Sequence, residues 1–203
     1  LSSFKKEEFK EANAASMKYF VMASMVIFLG IVLFRDVFAL IVGRDFREGI
    51  DILPVVLASN VLAGIWFNLS FWYKREEKTK YAAYVTFLGL AVTLGLSFVL
   101  VPKMGYRGAA WVRLVAEAAM VVMSYTLCKR HYPIPYDLKR IGEYFAVGAG
   151  AYLISVFCVE PLGGVWAIAG NFVLLALATY YAIWREKIDV KGLLRAIIRK
   201  FVR

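Results

Sequence analysis

The sequence predicts an all-α, polytopic integral membrane protein with six transmembrane helices and a basic amphipathic C-terminal helix. Three observations predict it. The 203 residues are 61% hydrophobic, with a mean hydropathy of +0.64, beyond the range of soluble globular domains. The charged residues, 20% of the chain, gather between the apolar runs. A soluble helical protein would instead spread them along one face of each helix. Finally, six apolar runs follow one another, each near the roughly 20 residues a helix needs to cross a bilayer.

Leu1 to Lys18 reads as a charged, helical lead-in, a solvated connector (residues 1–18). It lacks the apolar core of a cleavable signal peptide, so the start reads as a cut inside a longer protein. The first span is predicted from Tyr19 to Val42, with Arg35 and Asp36 near its far end, where adjacent opposite charges suit the headgroup zone. A short polar loop, Gly43 to Glu48, precedes a second span from Ile50 to Tyr73. Pro54 falls in its first turns and predicts a kink. Asn60, Gly64 and Asn68 are spaced by four and so share a face. A polar stripe of that kind either glues the helix to a neighbour or lines a polar cavity. Phe71-Trp72-Tyr73 reads as an interfacial aromatic belt.

Lys74 to Lys80 is a charged loop. The third span (Tyr81 to Val101) and the fourth (Tyr106 to Leu127) form a hairpin through Pro102-Lys103-Met104-Gly105, and the other helices are expected to arrange around it. Gly89, Thr93 and Ser97 make a small, weakly polar face on the third span. Gly105, Ala109, Arg113 and Glu117 make one stripe on the fourth. Charge at membrane depth is costly and usually functional, which singles out Arg113 and Glu117. The two can also pair within the helix, although Glu before Arg is the better order.

Spans one to four occupy residues 19–128. A basic linker follows at 129–140, stiffened by Pro133 and Pro135. Two further spans lie within 141–184, from Ile141 to Val159 and from Val165 to Trp184, around the turn Glu160 to Gly164. The tail, 185–203, puts Ile188, Leu194, Ile198 and Phe201 among lysines and arginines. It resembles a helix lying on anionic lipid.

Nineteen of the 25 lysines and arginines fall before the first span, in 74–80, in 129–140 and after Trp184. Positive loops stay in the cytoplasm. Both ends of the chain are therefore expected on the cytoplasmic side of the cell's inner membrane, as six spans require. The net charge of +10 then reflects loops against anionic lipid rather than nucleic acid. Cys128 and Cys158 sit near opposite ends of neighbouring helices, so no disulfide is expected. His131 stands alone and reads as an interfacial loop residue. No phosphate loop, catalytic triad or metal-ligand spacing is present in the sequence, so neither an enzyme nor a cofactor is predicted.

Lys78, Thr79 and Lys80, followed by Val101-Pro102-Lys103-Met104-Gly105-Tyr106-Arg107-Gly108-Ala109-Ala110, and then the segment Tyr132 to Arg140, carry a family resemblance. In order and spacing they resemble the second half of bacterial polysaccharide flippases. These belong to the superfamily of multidrug, oligosaccharidyl-lipid and polysaccharide exporters. The resemblance runs from about Phe9 to Arg140. Ser97 departs from it, at a place where the family commonly has asparagine. The resemblance implies two six-helix bundles that flip an isoprenoid-pyrophosphate-linked glycan by alternating access. This chain would supply four helices of the second bundle and two additional ones, and its partner would be the missing N-terminal bundle. A pyrophosphate head needs cationic or amide partners away from water. Arg113 with Glu117 beside it, and Asn60 and Asn68 for the sugars, are the candidate substrate-binding residues. Against this stands a helix contact in which Glu117 merely neutralises Arg113. Other functions weighed are a cation-coupled multidrug antiporter with Glu117 as its acid, a glycan polymerase, which the short outer loops disfavour, and a structural membrane subunit.

Overall fold

The computed structural model describes residues 2–41 and 49–186. The expected loop Gly43 to Glu48 lies outside the described residues, as does the basic tail beyond Glu186. Eight α-helices follow one another and no strand occurs among the described residues. They are α1 (Ser2–Leu33), α2 (Arg35–Ile41), α3 (Leu53–Leu69), α4 (Phe71–Arg75), α5 (Lys80–Met104), α6 (Tyr106–His131), α7 (Leu138–Ile154) and α8 (Gly164–Arg185). Helix α7 continues into a π-turn, Ser155–Val159, and a 3-10 turn, Glu160–Leu162. Six helical stretches are long and apolar enough to cross a membrane: Lys6–Leu33, Gly49–Arg75, Lys80–Met104, Tyr106–His131, Leu138–Val159 and Gly164–Arg185. The protein is thus a multi-pass helical membrane protein by length and composition.

The first span starts earlier than expected and ends sooner. Helix α1 is continuous from Ser2 and stops at Leu33, before the turn at Phe34. The charged lead-in is therefore part of the bundle and not a solvated connector. Asn13 and Met17 are buried, and Asn13 Nδ2 donates to the Tyr136 hydroxyl at 2.9 Å. Pro54 causes no kink. It sits in the first turn of α3, where its missing N–H leaves no bond unmade. Pro102 lies inside α5, whose helix runs on to Met104, so Gly105 alone makes the hairpin turn, at φ 57°. Gly108 packs against the Leu100 carbonyl so closely that any Cβ there would strike it.

The hairpin is not the centre of the molecule. Helix α5 packs on α6, α6 on α3, α3 on α1, and α1 on both α7 and α8. The hairpin forms one edge and the last two helices the other, with α1 between. We call the end where α1 begins the proximal end. Two of its features correct the sequence reading. Trp72 and Tyr73 are 0% and 1% exposed, so they are not a lipid-facing belt. They form a core with Cys128, Tyr132 and Ile134. In the linker, Tyr132 and Ile134 turn inward while Pro133 and Pro135 face out. That alternation needs an extended chain, which the two prolines impose. His131 ends α6 and stacks on Trp72, with centroids 6.2 Å apart and planes within 7°. Both cysteines are free thiols, Cys128 buried and Cys158 exposed.

Candidate functional site

Helices α3 and α6 adjoin and run in the same direction, since Asp51 meets Arg107 and, further along both, Asn60 meets Arg113. About two turns into α6, Arg113 Nη2 donates to Oδ1 of Asn60, midway along α3, at 2.8 Å. Both residues are exposed. Glu117 lies one turn further along α6. Its Oε2 is buried and without a hydrogen-bond partner, and it makes no ion pair with Arg113. The close ion pair that i,i+4 spacing allows is not formed, although the Arg113 charge still acts on the Glu117 carboxyl. The guanidinium reaches across to the neighbouring helix instead.

Asn60 also lines a cleft of ≈ 230 Å³ between α1 and α3, together with Phe20, Ser24, Ile27, Phe28 and Leu57. The Asn60–Gly64–Asn68 stripe therefore divides. Phe20 fills the space over Gly64, where any Cβ would strike its ring. Asn68 is buried, and its Nδ2 donates to Ser16 Oγ at 3.4 Å, while its Oδ1 has no partner. Gly64 and Asn68 thus hold α3 against α1, whereas Asn60 faces the cleft and Arg113. Of the four predicted residues the structure joins two, Arg113 and Asn60. Glu117 stands nearby, and Asn68 is in a helix contact two turns away.

Two polar centres were not singled out in the sequence. Near the distal end, Asn171 is buried. It accepts from Ser155 Oγ at 2.7 Å, and its Nδ2 donates to the Leu33 carbonyl at 2.8 Å. It thereby satisfies one of the carbonyls left over where α1 ends, a group that cannot go unpaired in a bilayer core. A lone amide within an apolar run was the available signal. At the proximal end, the Glu186 side chain is 2% exposed. It pairs with Lys18, with Arg140 at 3.1 Å, and accepts from the Tyr144 hydroxyl at 2.6 Å. Burial alone would push its carboxyl up. The bonds from Lys18, Tyr144 and Arg140 outweigh that and hold it below the ordinary value. No sequence pattern signals this node, because its members are spread over 168 positions. Beside it, burial pushes the Tyr136 phenol well above its usual range, so it stays a neutral partner for Asn13.

A larger groove of ≈ 680 Å³ opens at the distal end between α1, α2 and α8. Its walls are mostly apolar, with Asp36 and Glu160 at the rim and Glu160 already bound to Arg35 at 2.9 Å. Among the described residues its lining includes no lysine or arginine, so among them the Arg113–Asn60 pair is the better candidate for an anionic ligand. Fold and site together define a multi-pass helical membrane protein with a guanidinium held between two spans. No family model, curated protein or solved structure matches the chain.

Proposed function

We propose that the chain is part of a transporter that flips isoprenoid-linked oligosaccharide or polysaccharide repeat units across the cytoplasmic membrane, with both of its ends cytoplasmic. One observation carries the reading. Arg113 is exposed within its span, makes no direct ion pair with Glu117, and is steadied by an amide on the adjoining helix α3. A guanidinium offered that way at membrane depth needs an anionic or aqueous partner, and its planar fork suits phosphate oxygens. Asn60 supplies the neutral hydrogen-bonding group that sugars require. The basic residues clustered at one set of loops support the orientation.

The test replaces Arg113 by Gln in the full-length parent protein and asks where lipid-linked glycans collect. Complete repeat units building up on the cytoplasmic face, at unchanged protein level, support the reading. Normal surface glycan at normal expression sinks it. A second reading, the cation-coupled antiporter, is favoured by the unpartnered buried oxygen of Glu117. Its mark would be drug sensitivity in Glu117→Gln with glycan export intact.

A further inference from the structure

We propose that the proximal end of α5 and α6 holds a phospholipid with an anionic phosphodiester and a hydroxylated headgroup, as in phosphatidylglycerol. Lys80 takes the phosphate, His131 takes a headgroup hydroxyl, and an acyl chain lies along α5. The inference rests on the chain's place in a membrane and not on what it transports.

It begins with one ring. Tyr81, in the first turn of α5, touches three exposed side chains. The Lys80 ammonium lies 5.5 Å from its centroid. The His131 imidazole, at the end of α6, lies 4.8 Å away. The Tyr84 ring, one turn further along α5, lies at 6.2 Å. A cation, an imidazole and a phenol therefore share one patch of surface. Two more cations, Lys129 and Arg130, are exposed in the last turn of α6. Basic groups gathered at helix ends on a membrane surface attract anionic headgroups.

His131 is exposed, yet its ring is fixed. It stacks on Trp72, which is 0% exposed, with planes within 7°. Its Nδ1 lies 3.1 Å from the Leu127 carbonyl. A carbonyl only accepts, so Nδ1 carries the hydrogen. In the neutral ring Nε2 is then an acceptor, on the side of the imidazole away from Leu127. A headgroup hydroxyl is an uncharged donor that suits it. A trimethylammonium headgroup has no hydrogen to give and meets Lys80 with like charge.

The apolar part of the site follows at helical spacing. Lys80, Tyr84, Phe87, Ala91, Leu94 and Phe98 are all exposed and step by four and three. Such steps average the 3.6 residues of a turn, so the six stay on one face. From Lys80 to Ala91 the helix rises about 16 Å, close to half of the roughly 30 Å hydrocarbon core. A phosphate at Lys80 thus lays its acyl chain against Tyr84, Phe87 and Ala91 for the depth of one leaflet. The phenol of Tyr84 sits where an amphipathic ring suits the boundary between head and chain.

A purely structural His131 would only cover Trp72. Phenylalanine covers it equally, so His131→Phe keeps the stack and removes the nitrogens. The experiment is native mass spectrometry of the full chain, released from micelles that hold equal amounts of two lipids with matched acyl chains. Three lipids are compared in pairs: phosphatidylglycerol, phosphatidylethanol (anionic but without the hydroxyls) and zwitterionic phosphatidylcholine. The expected order of retention is phosphatidylglycerol, then phosphatidylethanol, then phosphatidylcholine. Lys80→Gln should cut the preference for both anionic lipids over phosphatidylcholine by about fivefold. His131→Phe should cut the preference for phosphatidylglycerol over phosphatidylethanol by about fivefold, and spare that of phosphatidylethanol over phosphatidylcholine. Lys139→Gln removes the same charge from an exposed position at the same end, in the first turn of α7, and should change neither ratio. Equal losses in Lys80→Gln and Lys139→Gln overturn the site, since the general attraction of positive loops would then suffice. An unchanged ratio of phosphatidylglycerol to phosphatidylethanol in His131→Phe overturns it too. Displacement of bound phosphatidylglycerol by water-soluble glycerol phosphate overturns the acyl-chain contact and leaves a site for small anions instead.

Discussion

Helices α1 and α5 are alike as sequences and opposite as parts. Their best windows have mean hydropathies of 2.0 and 2.2, and both cross the molecule from end to end. Yet 33% of the α1 window is buried against 11% for α5. Helix α1 touches α3, α7 and α8, while α5 leans on α6 and leaves Phe87, Leu94 and Phe98 exposed. Hydropathy decides that a helix lives in the bilayer. It does not decide where, because lipid tails are as apolar as leucine and give apolar side chains no reason to seek one another. Position comes from what lipid cannot supply: hydrogen bonds, charge partners, and close backbone approach. Helix α1 has Asn13, Ser16, Lys18 and a capped last carbonyl; α5 has Gly89, filled by Met120.

That contrast can be broken from either side, by substitutions whose cost is read as loss of thermal stability in nanodiscs. The largest effect is expected from Trp72→Ala, which empties the proximal core against which α1 begins: about 4 kcal/mol. Gly64→Leu should cost about 3 kcal/mol by driving its side chain into Phe20 and prising α3 from α1. A loss as small as that of an exposed site would mean that Phe20 moves aside freely. Glu186→Gln should cost about 2 kcal/mol, since it leaves Lys18 and Arg140 without their shared carboxylate. The same group sets an acid limit. Its folded value lies below the ordinary one, so its contribution is complete above the unfolded carboxylate value and drains away as pH falls through the folded one. A melting curve series from neutral to acidic pH should show that loss in the native chain and lack it in Glu186→Gln. Smallest of all, Leu94→Ala on the exposed side of α5 should stay within about 0.5 kcal/mol. A cost like that of Gly64→Leu would mean α5 is not an edge.

The same physics explains what could be read from the sequence. Six spans, the hairpin between the third and fourth, and the helical class follow from runs of apolar residues and a break between them, which are local; that Pro102 stays inside α5 and Gly105 alone turns the chain does not. The pairing of Arg113 with Asn60 was partly legible, since a charge and an amide inside apolar spans mark themselves. Their joining, 53 positions apart, was not, and i,i+4 spacing pointed Arg113 at Glu117 instead. The aromatic triplet Phe71-Trp72-Tyr73 misled because interfacial belts and buried plugs use the same residues. What separates them is the linker 60 residues on, where Tyr132 and Ile134 fold back over Trp72. The lead-in misled for a related reason. Its charges look solvated until Glu76 and Glu186 come round to meet Lys6 and Lys18.

The Asn171 bond to the Leu33 carbonyl has a consequence for how the chain is made. Helix α1 leaves the ribosome well before the helices that complete it: the amide that caps it arrives 138 residues later, and the carboxylate for Lys18 later still. Until α8 emerges, the first helix has an unfinished end and an uncompensated charge, with no native neighbour able to correct either. Of the spans described, α1 is thus made early and completed late, and a chain cut short before Asn171 leaves this central helix unsettled. A quality-control protease that recognises unpaired polar groups at membrane depth would find its signal in α1, far from the site of truncation.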